Sequence, residues 1–136
     1  MRLWHKNLIP VLPRQQLLGQ WRECCLIAKN IATKGSPNHI LVNRIMEYDR
    51  GHFWCYCMLV VNEMRRRKYD VDISKVKKWI SGEDMKIIPF SKIFDRWHNG
   101  RYYQQCFYNL EEKYDCGGIT REEWTLIVAN NFRIFS

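Results

Sequence analysis

Glu23 is the lone carboxylate among the first 46 residues of this 136-residue chain, where it stands against seven cations: Arg2, Lys6, Arg14, Arg22, Lys29, Lys34 and Arg44. Positive neighbours favour the ionised form of a carboxyl. A carboxylate kept charged in a cationic surface can stabilise positive charge that develops on a bound molecule, and it can move protons. Gly19 falls one helical turn earlier on the same side. A glycine inside a helix costs about 1 kcal/mol relative to alanine, but it admits the close approach of another chain. Glycine and carboxylate together read as a site. They read also as an ordinary solvated face, on which Glu23 pairs with a neighbouring arginine or lysine and Gly19 makes room for a packed helix.

These residues need a helix to hold them, and the spacing predicts one over residues 13 to 33. Pro13 suits a first turn, where its missing N–H has no intrahelical partner, and Gly35-Ser36-Pro37 is the next break. Leu17, Trp21, Cys24, Ala28 and Ile31 recur at helical spacing as its core face, leaving Gln15, Gly19, Arg22 and Glu23 on a different side. A shorter helix is expected over 38 to 48, then a turn at Asp49-Arg50-Gly51. Phe53 to Lys68 is apolar on nearly all sides until Arg65-Arg66-Arg67-Lys68, the pattern of a central buried helix whose cations meet the negative end of its dipole. Asp72 or Ser74 can cap a short helix to Ile80. Residues 89 to 100 read as irregular or a single turn, and 101 to 114 as a helix ended by Gly117-Gly118. Thr120 with Glu123 is a capping box that opens a last helix through about Phe132. The expected fold is all-α, a compact single-domain helical bundle of residues 1–136 around a central buried helix.

The chain carries 22 Lys and Arg against 14 Asp and Glu, a net charge of +8. Residues 1–34 hold six basic side chains and one acid, residues 35–82 nine and five, residues 83–136 seven and eight, so the excess lies wholly in the first 82 residues. A one-sided basic field suits a polyanion, since each neutralised phosphate releases counterions, though charge of this size also serves as a solvated surface. The longest uninterrupted apolar run, 53–61, is far short of the roughly 20 residues a bilayer crossing needs, and the N-terminus has no apolar signal core. A cytoplasmic protein with no membrane partner is expected. Its six cysteines then remain reduced, and with no Cys-x-x-Cys pair they match no standard zinc spacing, so no metal is expected and they read as small buried side chains. Trp97-His98-Asn99 followed by Arg101-Tyr102-Tyr103 offers stacking and donor groups in a loop, or ordinary aromatic packing around a turn. Arg65 to Lys68 either reaches a polyanion backbone or forms a solvated helix end.

Residues 13–23, with Gln15, Leu17, and Trp21-Arg22-Glu23 closing the run, resemble the first-helix motif of the phage endonuclease V type pyrimidine-dimer DNA glycosylases. In that motif Gln is followed two positions later by Leu, and an aromatic-Arg-Glu triplet ends it at the same distance from the N-terminus without a gap. Residues 60–67 resemble the family's central helix more loosely. The N-terminal Met1-Arg2-Leu3-Trp4-His5, with Trp97-His98-Asn99, Gln105-Cys106 and the stretch from Asn109 to Asp115, resembles a bacterial branch grouped with these enzymes. The resemblance to the phage enzymes covers about half the chain, and that to the branch nearly all of it.

The resemblance implies a DNA repair enzyme, a glycosylase with abasic-site lyase activity on pyrimidine dimers or related lesions. In this chemistry the free α-amine attacks the sugar C1′, releases the base and leaves an imine, from which β-elimination cuts the strand. An unperturbed α-amine has a pKa of about 7.7–8.0, so part of it is neutral near pH 7. Carried over residue by residue, Glu23 is the catalytic carboxylate, Arg22 binds the phosphate beside the lesion, and Gln15 contacts DNA near the flipped nucleotide. Arg2, Arg14 and His98 complete the expected DNA contacts, with no cofactor, a monomer, and damaged double-stranded DNA as partner. The phage enzymes expose a small residue at position 2 after methionine removal, whereas Arg2 here normally prevents that removal. The expected nucleophile is therefore the amine of Met1, about 3.5 Å of chain further out. The rival readings are a non-catalytic DNA-binding protein of the same fold and a nuclease acting by another route.

Overall fold

Pro13 at the cap and Gly35 beyond the last turn bracket helix α1 (Arg14–Lys34). Gly35 takes the left-handed conformation (φ 81°) that glycine adopts without strain, and its N–H closes the helix on the Ile31 carbonyl at 3.1 Å. The computed structural model describes residues 1–135, and among these every regular element is helical, the class the sequence periodicity predicts. Of the predicted core face of α1, Leu17, Trp21, Cys24 and Ala28 are buried and Ile31 partly so, and two polar residues, Gln20 and Asn30, are buried with them.

Helix α2 (Arg50–Arg66) crosses α1 and buries Phe53, Tyr56, Cys57, Val60, Val61 and Met64. It begins earlier than its apolar run because Asp49 is a cap: the Asp49 carboxylate accepts the Gly51 N–H at 2.8 Å, so the expected turn is the first turn of the helix. At the other end the basic run divides. Arg66 and Arg67 both bind the buried Glu63 carboxylate, and the Arg67 guanidinium also donates to the carbonyls of Leu12 (2.8 Å) and Pro10 (3.2 Å). Arg67 thereby ties α2 to the N-terminal segment, while Arg66 bonds to Glu63 within its own helix. Arg65, Arg66 and Lys68 remain exposed.

The helix expected over residues 38 to 48 is a series of turns with one short 3-10 segment, Asn43–Glu47. Asn38 sits at φ 60°, and the His39 ring accepts the Leu41 N–H at 3.2 Å, so local side-chain bonds displace the helical ladder. Helix α3 (Ser74–Lys77) is a single turn, and the stretch from there to α4 (Gly100–Asp115) holds two short 3-10 turns, Gly82–Asp84 and Phe90–Lys92. Asn99 caps α4 by accepting the Tyr102 N–H at 3.0 Å.

The capping box forms as its spacing requires. Thr120 Oγ1 accepts the Glu123 N–H at 3.1 Å, and Glu123 Oε1 accepts the Thr120 N–H at 3.0 Å, opening helix α5 (Arg121–Phe135). The second Glu123 oxygen accepts the Arg14 N–H at 2.9 Å, so one carboxylate caps α5 and α1 together. Each such cap contributes about 1 kcal/mol.

The first twelve residues carry no helical period, yet they are the most deeply set part of the chain. Leu3, Trp4, Leu8, Ile9 and Leu12 are all buried; residues 1–5 run without regular structure into a 3-10 helix at Lys6–Val11 that packs on α2 and α5. This packing lays the N-terminus along α1 beside Glu23.

Candidate active site

An extended segment outside a sheet has no backbone partner for its N–H and C=O groups, and buried ones must be satisfied by side chains. Here three helices supply them. The Arg2 N–H donates to Glu23 Oε2 of α1 at 3.3 Å, and the Arg2 carbonyl accepts from Gln20 Nε2 at 2.9 Å. The Leu3 carbonyl accepts from the Tyr102 hydroxyl of α4 at 2.6 Å. The Trp4 N–H donates to Gln20 Oε1 at 2.7 Å, and the Trp4 carbonyl lies 2.5 Å from the Tyr56 hydroxyl of α2. Gln20 Nε2 also lies 3.4 Å from Glu23 Oε2. Glu23 thus faces the start of the chain, half-buried, one residue from the Met1 amine.

Among the described residues no lysine or arginine side chain pairs with Glu23. The simple surface ion pair is therefore absent. Nor is Gly19 a packing glycine: a Cβ there would meet only the Arg22 guanidinium, at 3.8 Å. Gly19, Gln15 and Arg22 instead leave an open edge beside the carboxylate, with Gln15 and Arg22 exposed. Arg2 is half-buried; its guanidinium lies over the Trp4 ring at 5.4 Å and donates to Cys106 Sγ at 3.7 Å. Arg14 is exposed at the start of α1, with its guanidinium over the Tyr69 ring.

Other expected positions are internal. His98 is 5% exposed, and its Nδ1 accepts the Lys6 N–H at 3.0 Å within a cluster that includes Tyr56, Phe94, Trp97 and Tyr102. Of the two readings of 97–99, aromatic packing describes its surroundings, and a direct DNA contact by His98 is corrected on that ground. Lys6 is buried as well, its ammonium bonded to the Phe90 and Ile93 carbonyls at 2.7 Å each, so its charge belongs to the interior. Cys24, Cys57 and Cys106 are fully buried, Cys25 and Cys55 half-buried and Cys116 exposed, all as free thiols.

Burial pushes the His5 imidazole down to about 4; the charge of Lys6 acts in the same direction against carbonyl contacts from His98 and Asn99. His98 is held well below its ordinary value by burial, reinforced by His5, Lys6 and Arg44. Both rings are therefore neutral at pH 7. The unfolded chain takes up their protons below about 6.5 while the folded chain refuses them, so stability rises with pH across roughly 4 to 6.5 and is lost as pH falls through that window. For His5 alone this corresponds to up to about 3 kcal/mol. Urea unfolding at pH 6.5 and 4.5 should show a marked fall in midpoint at the lower pH; equal midpoints would contradict the burial argument.

Sequence spacing marks Glu23, Arg22 and Gln15; the fold brings Glu23 to the N-terminal segment and leaves Arg22 and Gln15 exposed on the same helix. Sequence reading does not mark Gln20 or Tyr56, and it offers Tyr102 only as a stacking or donor group for nucleic acid or as aromatic packing. The available signal was Gln20 itself, a polar side chain beside the apolar stripe of α1, 1% exposed and bonded on both sides of its amide.

A family model described as pyrimidine dimer DNA glycosylase matches residues 1–77. No curated protein and no solved structure matches the chain significantly. The matched residues include α1, α2 and the N-terminal segment that meets Glu23.

Proposed function

Because the chain belongs to the pyrimidine dimer DNA glycosylase family, we propose that it excises damaged pyrimidines from duplex DNA through an imine on its N-terminal amine and then cuts the strand. The observation that carries this reading is the 3.3 Å contact between the Arg2 nitrogen and Glu23 Oε2, which sets the start of the chain against the lone carboxylate of its first 46 residues. The Met1 amine attacks C1′ with its lone pair. The glycosidic bond breaks, its electron pair leaves with the base, and the base takes up a proton. Loss of the amine proton and opening of the sugar ring give a C1′=N imine. Removal of a C2′ proton then drives β-elimination, in which the C3′–O bond breaks and the 3′ phosphate leaves. Glu23 stabilises the cationic sugar in the first stage and carries protons in the second.

With Arg2 as the second residue, Met1 is retained. Its amine is then the nucleophile, and the Arg2 nitrogen, an amide, serves to hold the carboxylate. Arg22 and Arg14 are exposed for phosphate contact and Gln15 for contact beside the flipped nucleotide. We extend this domain over residues 1–136, beyond the matched 1–77, because α4 supplies Tyr102 and Cys106 to the N-terminal segment. No step calls for a cofactor, and the protein acts as a monomer on the DNA inside the cell. No helix among the described residues is long and apolar enough to cross a membrane.

The test is borohydride reduction on an abasic-site duplex. A covalent protein–DNA adduct whose cross-linked peptide begins at Met1 is the expected result. No adduct, with duplex binding intact, would replace this reading by a non-catalytic DNA-binding protein, which the extra residue ahead of the Glu23 contact, Met1 itself, specifically favours.

A further inference from the structure

Chain termini are commonly loose, because their backbone groups are satisfied by water and nothing fixes their dihedrals. Residues 2–4 of this chain are the opposite case. Their polar groups are bonded by side chains set on three different helices: Glu23 and Gln20 on α1, Tyr56 on α2 and Tyr102 on α4. Gln20 is the centre of the arrangement. Its Oε1 accepts the Trp4 N–H and lies 2.9 Å from the Tyr56 hydroxyl, while its Nε2 faces the Arg2 carbonyl and Glu23. A primary amide has two donors and one two-lone-pair acceptor, and this one uses both ends. The donor at Trp4 N and the acceptor at Arg2 O permit only one orientation of that amide.

Resting on the imine reading above, we infer that Gln20 and Tyr102 are positioning residues that set the place of the N-terminal amine relative to Glu23. Neither touches the reacting sugar. Gln20 ties the arm on both sides of Leu3, and Tyr102 ties Leu3 itself, so sliding or swinging of residues 1–3 breaks hydrogen bonds at several points. Fixing a nucleophile in a reactive geometry removes an entropy cost that a free terminus meets at every encounter, and a displacement of 1 Å can cost about 10²-fold in rate. The carboxylate shares the same frame. Gln20 Nε2 lies between the Arg2 carbonyl and Glu23 Oε2, so one side chain relates the arm to the acid.

Tyr102→Phe removes the hydroxyl while keeping the ring against Trp97 and His98, at 5.6 and 5.0 Å. Gln20→Leu removes the amide at similar volume. For each, the rate of borohydride-trapped adduct per folded molecule is measured at saturating abasic duplex, with duplex affinity and hydrogen exchange at the Trp4 amide beside it. Expected are a fall in the saturated rate of about tenfold or more, affinity within twofold, and faster Trp4 exchange. A purely structural role would lower the folded fraction and leave the rate per folded molecule unchanged. If Gln20→Leu does not fold, Tyr102→Phe decides alone. A saturated rate within twofold of the unaltered protein overturns the inference whatever the exchange shows, whereas absence of any adduct with the unaltered protein overturns the imine reading on which it stands.

Discussion

Glu23→Gln should lower strand cleavage at an abasic site by about 10³-fold while leaving duplex affinity equal or slightly tighter. The substitution is nearly isosteric, and the glutamine oxygen can still accept the Arg2 N–H that Glu23 now accepts at 3.3 Å, so the N-terminal arm keeps its place. What disappears is one negative charge and one proton carrier. Removal of an acid from a surface that must approach phosphates favours association, so weaker binding would point to a folding defect. Both stages of the proposed reaction lose: the cationic sugar is no longer stabilised, and no base stands ready for the C2′ proton. Single-turnover cleavage of an abasic duplex, paired with binding to the same duplex, measures the two effects separately. Cleavage by the variant at the rate of the unaltered protein would remove Glu23 from the mechanism.

The value of Glu23 was legible before any fold was known, because charge is counted along the chain and one acid among seven cations stands out. Helix α1 and the start of α5 were legible for a related reason: Pro13, Gly35 and the Thr120–Glu123 pair act on neighbours within four residues, so their effect is written locally. Asp49 could have been read the same way, as a cap with the helix following, had the apolar run not drawn the start to Phe53. The N-terminal arm could not. It has no period of its own, and the groups that fix it come from positions 20, 23, 56 and 102, brought together only by packing. His98 shows the converse. Its neighbours Trp97 and Tyr102 suit nucleic acid by type, but His98 and Trp97 are buried in the core and Tyr102 packs half-buried against them. Arg67 likewise leaves the charged surface run, drawn onto the buried Glu63 and the Leu12 and Pro10 carbonyls. Composition therefore singled out Glu23 on the chain, and tertiary contacts decide which of the cations and aromatics around it are exposed.

Adding one glycine ahead of Met1 should reduce imine formation by at least about 10²-fold, and acetylating Met1 should abolish it. A loose terminus would tolerate the extra residue, since its amine could still swing to the same point. This terminus is held from Arg2 to Trp4, so the added residue carries the amine about 3.5 Å further along a fixed direction instead. The opposite change is equally informative. A protein prepared to begin at Arg2 places its amine where the Arg2 amide nitrogen now lies, 3.3 Å from Glu23 Oε2, and there it gains a charge-assisted contact with the carboxylate. It is expected to form the borohydride-trapped adduct at least as fast as the Met1 protein. Three lengths of one arm thus give a graded series, read by adduct formation at saturating abasic duplex and by the mass of the cross-linked N-terminal peptide. Equal rates at all three lengths would mean that the amine reaches C1′ from a mobile terminus, and the side-chain hold on residues 2–4 would have no part in placing it.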